Sequence, residues 1–292
     1  MTMTTPKPPW LRKKIPAAGH NSEILATIKD GALHTVCAEA KCPNQMECFS
    51  KGTATFLLLG PNCTRSCRFC AVGKHPVQTP DPDEPLRIAR AVARMGVDFC
   101  VLTMVTRDDL PDGGAEHVAR TIDTIRRQCP GVGVEVLISD LAGSRAALKT
   151  VLKARPEVLN HNIETVPRLY PAVRPQADYR RSINLLATSK TLAPEILTKS
   201  GIMLGLGETR DEVLQVMDEL IGAACGLLTL GQYLAPSERH CPVVRYVTPQ
   251  EFADYQSEAE KRGFLGVASS PFVRSSYRAG GLYRQATRSL SP

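Results

Sequence analysis

Three cysteines, Cys63, Cys67 and Cys70, fall in the run Cys63-Thr64-Arg65-Ser66-Cys67-Arg68-Phe69-Cys70, with C-x3-C-x2-C spacing. Thiolates are soft ligands that suit zinc and iron–sulfur clusters. Three of them on one short loop reach a common centre more readily than they pair with one another. Three protein ligands on a four-vertex centre leave one vertex open, which is what a catalytic metal site needs. Zinc usually draws on paired C-x2-C units, and the chain has no second such pair. The spacing therefore favours an open iron–sulfur centre over a closed structural site. A second triad, Cys37, Cys42 and Cys48, has C-x4-C-x5-C spacing in a polar, irregular stretch that suits a cluster-binding loop. Of the other four cysteines, Cys100 and Cys225 sit in or beside apolar runs and read as core. Cys129 and Cys241 have no assignable role.

The cysteine loop needs a scaffold, and the chain alternates apolar with amphipathic segments. Continuous β-rich runs occupy 54–59, 97–105, 132–138, 157–163, 197–204 and 226–234. Helical patterns occupy 82–95, 113–128, 143–154, 178–190, 209–223 and 248–262, and a short helix fits 21–30. Unbroken apolar strands are those buried on both faces, and strand–helix repeats give a parallel sheet with right-handed crossovers. The expected fold is α/β, a partial (β/α)6 TIM-like barrel over residues 53–263. An N-terminal cluster-binding extension covers 1–52, and a C-terminal closing segment covers 264–292. Residues 1–20 read as extended, with Pro6, Pro8, Pro9 and Pro16. In such folds the site forms at the C-terminal ends of the strands. The polar and glycine-containing loops all fall there: the cysteine loop, 106–114, Ser139-Asp140, 160–165, 205–208 and 232–236.

Composition removes several classes of function. No apolar run approaches the roughly 20 residues that span a bilayer. Residues 1–19 lack the apolar core of a secretory signal, and their prolines argue against an amphipathic transit peptide. With 43% hydrophobic residues among 292, the chain reads as a soluble protein of the reducing cytoplasm. Ten cysteines in a chain of this length and helical pattern do not make a disulfide scaffold. The net charge is +7, yet residues 1–20 and 261–292 carry ten basic residues and no acid, including Lys7, Lys13, Lys14, Arg274, Arg278 and Arg284. If the two ends meet, they would make one basic surface for an acidic partner. Aromatic residues are 5% and do not interleave with the basic ones, so nucleic acid is not expected.

The C-x3-C-x2-C loop after the first strand, with Phe69 before its last cysteine, resembles the radical S-adenosylmethionine (SAM) superfamily. The upstream triad, joined by Arg274-Ser275-Ser276-Tyr277, is similar to the lipoyl synthase family. That likeness continues through Gly52–Phe56, Arg107–Ala115, His161–Thr165, Gly201–Glu208 and Arg245–Pro249, and so covers nearly the whole chain. The resemblance implies two [4Fe–4S] clusters. Cys63, Cys67 and Cys70 would hold the one that binds SAM and yields a 5′-deoxyadenosyl radical. Cys37, Cys42 and Cys48, with Ser276 as fourth ligand, would hold an auxiliary cluster that donates sulfur. The implied substrate is an octanoyl chain on a lysine of a lipoyl carrier domain (2-oxoacid dehydrogenase E2 subunits or glycine cleavage H protein), with sulfur added at C6 and C8. The implied helpers are a ferredoxin or flavodoxin and cluster-assembly proteins.

Other residues are expected to serve SAM less directly. Asn162 and Glu164 would bond its ribose or methionine part, with core hydrogen bonding as the rival role. Gly205 and Gly207 would let backbone approach the cofactor. Arg174 would reach a carboxylate or stay on the surface. Arg107, Asp108 and Asp109 would lie near SAM or form loop ion pairs. Two rival functions remain: a radical-SAM sulfur inserter acting on a small molecule, and a non-enzymatic iron–sulfur scaffold. Met104-Val105-Thr106 and Cys241 depart from the common family pattern but touch no expected ligand.

Overall fold

The computed structural model describes residues 6–13 and 19–290, so Lys14 and Pro16 lie outside the described residues. Seven strands form one sheet in chain order, every neighbouring pair parallel. They are β1 (Thr55–Leu58), β2 (Phe99–Met104), β3 (Gly133–Leu137), β4 (Val158–Asn160), β5 (Leu197–Leu204), β6 (Leu227–Gln232) and β7 (Gly266–Ser269). The helices are α1 (Asn21–Asp30), α2 (Val36–Glu39), α3 (Gln45–Ser50), α4 (Glu84–Met95), α5 (Ala115–Gln128), α6 (Arg145–Lys153), α7 (Tyr170–Val173), α8 (Tyr179–Leu192), α9 (Arg210–Gly222), α10 (Pro249–Lys261) and α11 (Ala279–Leu290). Thr209 and Thr248 start α9 and α10 with full capping boxes. Gly96 ends α4 in the left-handed region, as its position after Met95 requires.

The partial barrel expected from the sequence is present, with one strand more than the six foreseen. β7 falls in the stretch assigned to the closing segment. Its four residues, Gly266-Val267-Ala268-Ser269, form no apolar run. Its place is set by register against Leu227–Leu230 of β6 and by packing on α10. The short helices α2, α3 and α7 escape the sequence for a similar reason, since four to six residues show no helical period.

Among the described strands, β1 and β7 do not pair, so the barrel is open along one side. The N-terminal extension covers the free edge of β1. Thr35 makes an antiparallel bridge with Phe56, and Leu57 N donates to His34 O at 2.9 Å. From the other end of the chain, α11 plugs the barrel at the starting ends of the strands. Leu282 and Ala286 pack with Val158, Leu197 and Leu227, and the Tyr283 ring lies 5.4 Å from Phe99. Arg284 pairs with Asp98, just ahead of β2. The basic residues near the C-terminus therefore divide. Lys261 and Arg262 pair with Glu258 and Asp218, Arg284 sits at the bottom of the barrel, and only 274–278 turn toward the N-terminal triad.

Inside the barrel, Lys199 of β5 donates to both carboxylate oxygens of Glu135 of β3, at 2.8 and 2.9 Å. Asn160 of β4 donates to the same carboxylate at 3.0 Å. All three residues are wholly buried. Removing one partner of such a pair leaves an uncompensated charge in low dielectric, at a cost of roughly 3–5 kcal/mol. Lys199→Met should lower stability by about that amount in anaerobic urea unfolding. Adding Glu135→Leu should restore most of the loss, because the apolar pair no longer carries a bare carboxylate.

Candidate active site

The chain leaves β1 through a strained reversal in which Leu59 has φ +68° and Gly60 has φ +85°. Leu59 N donates to the buried Glu84 carboxylate at 2.9 Å, and Glu84 bonds His117 at 2.6 Å, which holds the reversal in place. The cysteine loop is pinned at both ends. Cys63 N donates to Gly73 O at 2.9 Å, and the Thr64 backbone N and hydroxyl both donate to Thr106 O, at 3.0 and 2.9 Å.

Arg65 is the loop's main anchor and is only 5% exposed. Its guanidinium grips Asp108, after β2, at 2.7 and 2.8 Å, and Asp140, after β3, at 2.9 and 2.7 Å. Arg181 of α8 also reaches Asp140, at 3.3 Å. Burial alone would raise the Asp140 carboxyl, but the Arg65 hydrogen bonds and charge hold it below its usual value. The 107–109 stretch splits its duties: Arg107 pairs with Asp109, and Asp108 serves Arg65. Sequence reading missed Arg65 and Asp140 as a pair, although Arg65 lies between two of the thiols and Asp140 directly follows a strand.

Across from the loop, Asn162 donates to Glu164 at 3.0 Å. Glu164 has φ +68°, a left-handed conformation unusual for glutamate and of the kind found at functional sites. Burial raises its carboxyl, with Arg174 and the Asn162 hydrogen bond opposing. Arg174 donates to Asn162 O, Ile163 O and the Tyr170 hydroxyl, each at 3.1 Å, and its charge acts on Cys67. Two buried polar atoms here, Asn162 Oδ1 and Arg174 Nε, have no hydrogen-bond partner. Both residues line the main cavity.

Gly205 and Gly207 are not part of that cavity wall. A Cβ on Gly205 would press within 2.3 Å of Gln232 Nε2 and 2.5 Å of Arg245 O, so its absence admits the close approach of the chain after β6. Gly201 and Gly231, which the sequence reading did not single out, do line the cavity. A Cβ at Gly201 would lie 2.9 Å from Asn162 Oδ1, and one at Gly231 would lie 2.1 Å from Val273 O.

The second triad stands beside the open side of the barrel. Thr35 caps α2, which carries Cys37, while Cys42 lies in the following turn and Cys48 on α3. Residues 272–277 fold back onto this segment. Asn44, 1% exposed, donates to Phe272 O at 2.7 Å, and the Tyr277 hydroxyl donates to Glu47 at 2.8 Å. Lys13 pairs with the other oxygen of Glu47 and lies 4.8 Å from the centre of the Phe272 ring. Both triads and Ser276 line one cavity of about 850 Å³. Leu57, Val101, Met104, Val105 and Ile202 supply apolar wall in it. Burial pushes the Cys37 thiol up to about 12 and those of Cys48 and Cys70 to about 11. Burial also raises Cys67, with Arg174 opposing. Among the described residues, no three His, Cys, Asp or Glu side chains close tightly enough to hold a single metal ion.

Residues 57–220 match the Radical SAM superfamily. The lipoyl synthase of Caldanaerobacter subterraneus subsp. tengcongensis is 54% identical over 277 residues, covering 95% of this chain and 97% of its own. The lipoyl synthase of Geobacter sulfurreducens is 54% identical over 288 residues, covering 98% and 93%. Among solved structures, the [FeFe]-hydrogenase maturase HydG superposes with a TM-score of 0.58 at 12% identity, over 91% of this chain and 67% of its own. Methylornithine synthase gives 0.52 at 14% identity, over 79% and 68%. At such identities the likeness concerns the fold alone. The relatives that match nearly end to end carry the assignment: the chain belongs to the lipoyl synthase family of the radical SAM superfamily.

Proposed function

We propose that the chain inserts two sulfur atoms, at C6 and C8, into an octanoyl chain amide-linked to a lysine of a lipoyl carrier domain. One observation carries this reading: two cysteine triads from separate segments, and Ser276 from the far end of the chain, line a single partly apolar cavity. The donor sets suit the groups the family uses. Two sets of three thiols match iron–sulfur clusters, and a cluster of several irons is wider than one ion, so its thiolates stand further apart than a mononuclear site requires. The unpaired Asn162 Oδ1 and Arg174 Nε offer an acceptor and a donor to a polar cofactor in the same cavity. When bound, the clusters and SAM would supply an electron relay, a carbon radical and sulfur.

The chain's own residues then have distinct tasks. Cys63, Cys67 and Cys70 would hold one of the clusters, the one that serves SAM, while Arg65 fixes their loop through Asp108 and Asp140. Asn162, Glu164 and Arg174 orient SAM, and Gly201 leaves room beside them. Gly205 and Gly207 serve at one remove, by shaping the chain that packs behind this wall. Cys37, Cys42 and Cys48 hold the second cluster with Ser276, whose oxygen is a harder and poorer match to iron than a thiolate. The apolar wall seats the alkyl chain and keeps water from the reacting carbons. Residues 1–52 serve as the cluster-binding extension, the barrel runs from 53 through β7 to Ser269, and 270–292 serve as the closing segment. No described helix is long and apolar enough to cross a membrane, and we assign the activity to the cytoplasm. There the chain meets carrier domains of E2 subunits and H protein, a ferredoxin or flavodoxin, and cluster-assembly proteins.

The decisive assay is anaerobic, with SAM, dithionite and an octanoyl-lysine peptide, read by mass spectrometry. A two-sulfur product is expected; its absence from protein with both clusters loaded refutes the reading. Cys63→Ala should abolish SAM cleavage. Cys42→Ala should keep cleavage yet insert no sulfur, and retention of insertion would remove the second triad from the mechanism.

Cluster loading should also depend on pH. The raised thiols are protonated near neutrality and must lose protons to become ligands. Loading should therefore release protons and grow more favourable from pH 6.5 to 8.5, as followed by iron content after anaerobic reconstitution. A flat or inverted profile would contradict this.

A further inference from the structure

A second cavity, of about 360 Å³, opens on the outer wall where α6 and α8 begin. Asp140, Ser144, Arg145, Asp178, Arg180 and Arg181 line it. The Ser144 and Asp178 side chains are occupied as helix caps, and Asp140 is held by Arg65 and Arg181. Capping leaves Asp178 exposed and charged, so at the cavity Arg145, Arg180 and Arg181 outweigh the Asp140 and Asp178 carboxylates by one net positive charge. It continues down the wall, because α6 carries Arg145, Lys149 and Lys153, all exposed and at four-residue spacing on one face, with no acid in the helix. The neighbouring α8 carries Arg180, Arg181 and Lys190, also with no acid. Among the described residues, the ion pairs nearby use Arg126, Arg180 and Arg181, and none uses Arg145, Lys149 or Lys153. Three adjacent cations without counter-ions repel one another, and an acidic partner relieves that repulsion.

The position of this face selects the partner. Asp140 belongs both to the outer cavity and to the Arg65 anchor, and Arg65 N lies 3.4 Å from Cys63 Sγ. One hydrogen-bonded route, Arg181–Asp140–Arg65, thus joins the surface to the loop of the first triad. None of Cys37, Cys42, Cys48 or Ser276 lines the outer cavity, so it does not reach the place where sulfur would be added. We propose that the α6–α8 face docks an acidic, low-potential, one-electron carrier protein. This rests on the radical-SAM reading above. In the step it serves, the donor loses one electron and is oxidised by one. That electron joins one electron of the breaking sulfonium carbon–sulfur bond as the lone pair of methionine's sulfur, and the carbon keeps the other.

The test compares two reductants on one variant, Arg145→Glu with Lys149→Glu. Both positions are exposed and lie outside the cavity that binds SAM, and Glu in the first turn of α6 complements the helix dipole. SAM cleavage is measured as 5′-deoxyadenosine, driven either by dithionite or by a reduced acidic flavodoxin with its reductase. The donor-driven rate should fall by about tenfold, with a raised KM for flavodoxin and a flatter dependence on salt, while the dithionite-driven rate stays within about twofold of wild type. Equal losses with both reductants, or no loss with flavodoxin, overturn the proposal. A loss under dithionite confined to turnover of the whole octanoylated carrier, sparing the octanoyl-lysine peptide, also overturns it by assigning the face to the carrier. Failure of the wild type to cleave SAM with dithionite is a different result, since it refutes the proposed function itself.

Discussion

The site depends on how one irregular loop is kept rigid. Residues 60–73 have no helix or strand to fix three thiols, and their backbone bonds reach only a few neighbours. The anchoring comes from one guanidinium fork, Arg65, closed on carboxylates from two successive strand ends. A lysine would not substitute, because a point charge cannot bridge two carboxylates with fixed directions. Asp140 is fully buried at its side chain, so the Arg65 charge is also needed to offset the desolvation of that carboxylate. The same four hydrogen bonds therefore position the thiols and stabilise the mouth of the barrel.

An open barrel raises a second problem, since a sheet edge and a hydrophobic interior are both exposed where β1 and β7 fail to meet. The chain solves it with its two ends. The extension before β1 supplies Thr35 and His34 to the free edge, and α11 fills the bottom with Leu282 and Ala286. Between them, residues 272–277 cross to the second triad through Asn44, Glu47 and Lys13. Covering the opening and bringing Ser276 into one cavity with the second triad are thus one structural event. This explains why residues about 230 apart in sequence meet at the cavity.

Most of this was legible in the sequence where periodicity or chemistry was local. The apolar runs gave six strands, and the two thiol triads singled out by spacing line one cavity. β7 was not legible, because Gly266–Ser269 acquires its burial from β6 and α10 rather than from its own hydrophobicity. Gly205 has a positive φ and a Cβ position crowded by Gln232 and by Arg245 of the chain after β6, a close packing that its sequence context did not announce. A glycine pattern reports that space is short without saying what fills it. Arg65 was hidden for a different reason: its partners lie 43 and 75 residues away, and nothing local distinguishes a buried arginine from an exposed one.

The charge pattern carries a related lesson. Summed along the sequence, the positive charge gathers at the two chain ends. In three dimensions much of it is locally neutralised: Lys13 by Glu47, Arg262 by Asp218 and Glu258, Arg284 by Asp98. Arg145, Lys149 and Lys153, in a middle that is acidic overall, stand without ion pairs on one helix face. Net charge by segment cannot find such a surface, because neutralisation depends on which residues the fold brings within about 4 Å. Here the unpaired cations lie on the outer wall behind Arg65, while the cavity joining the two triads opens beside the chain ends.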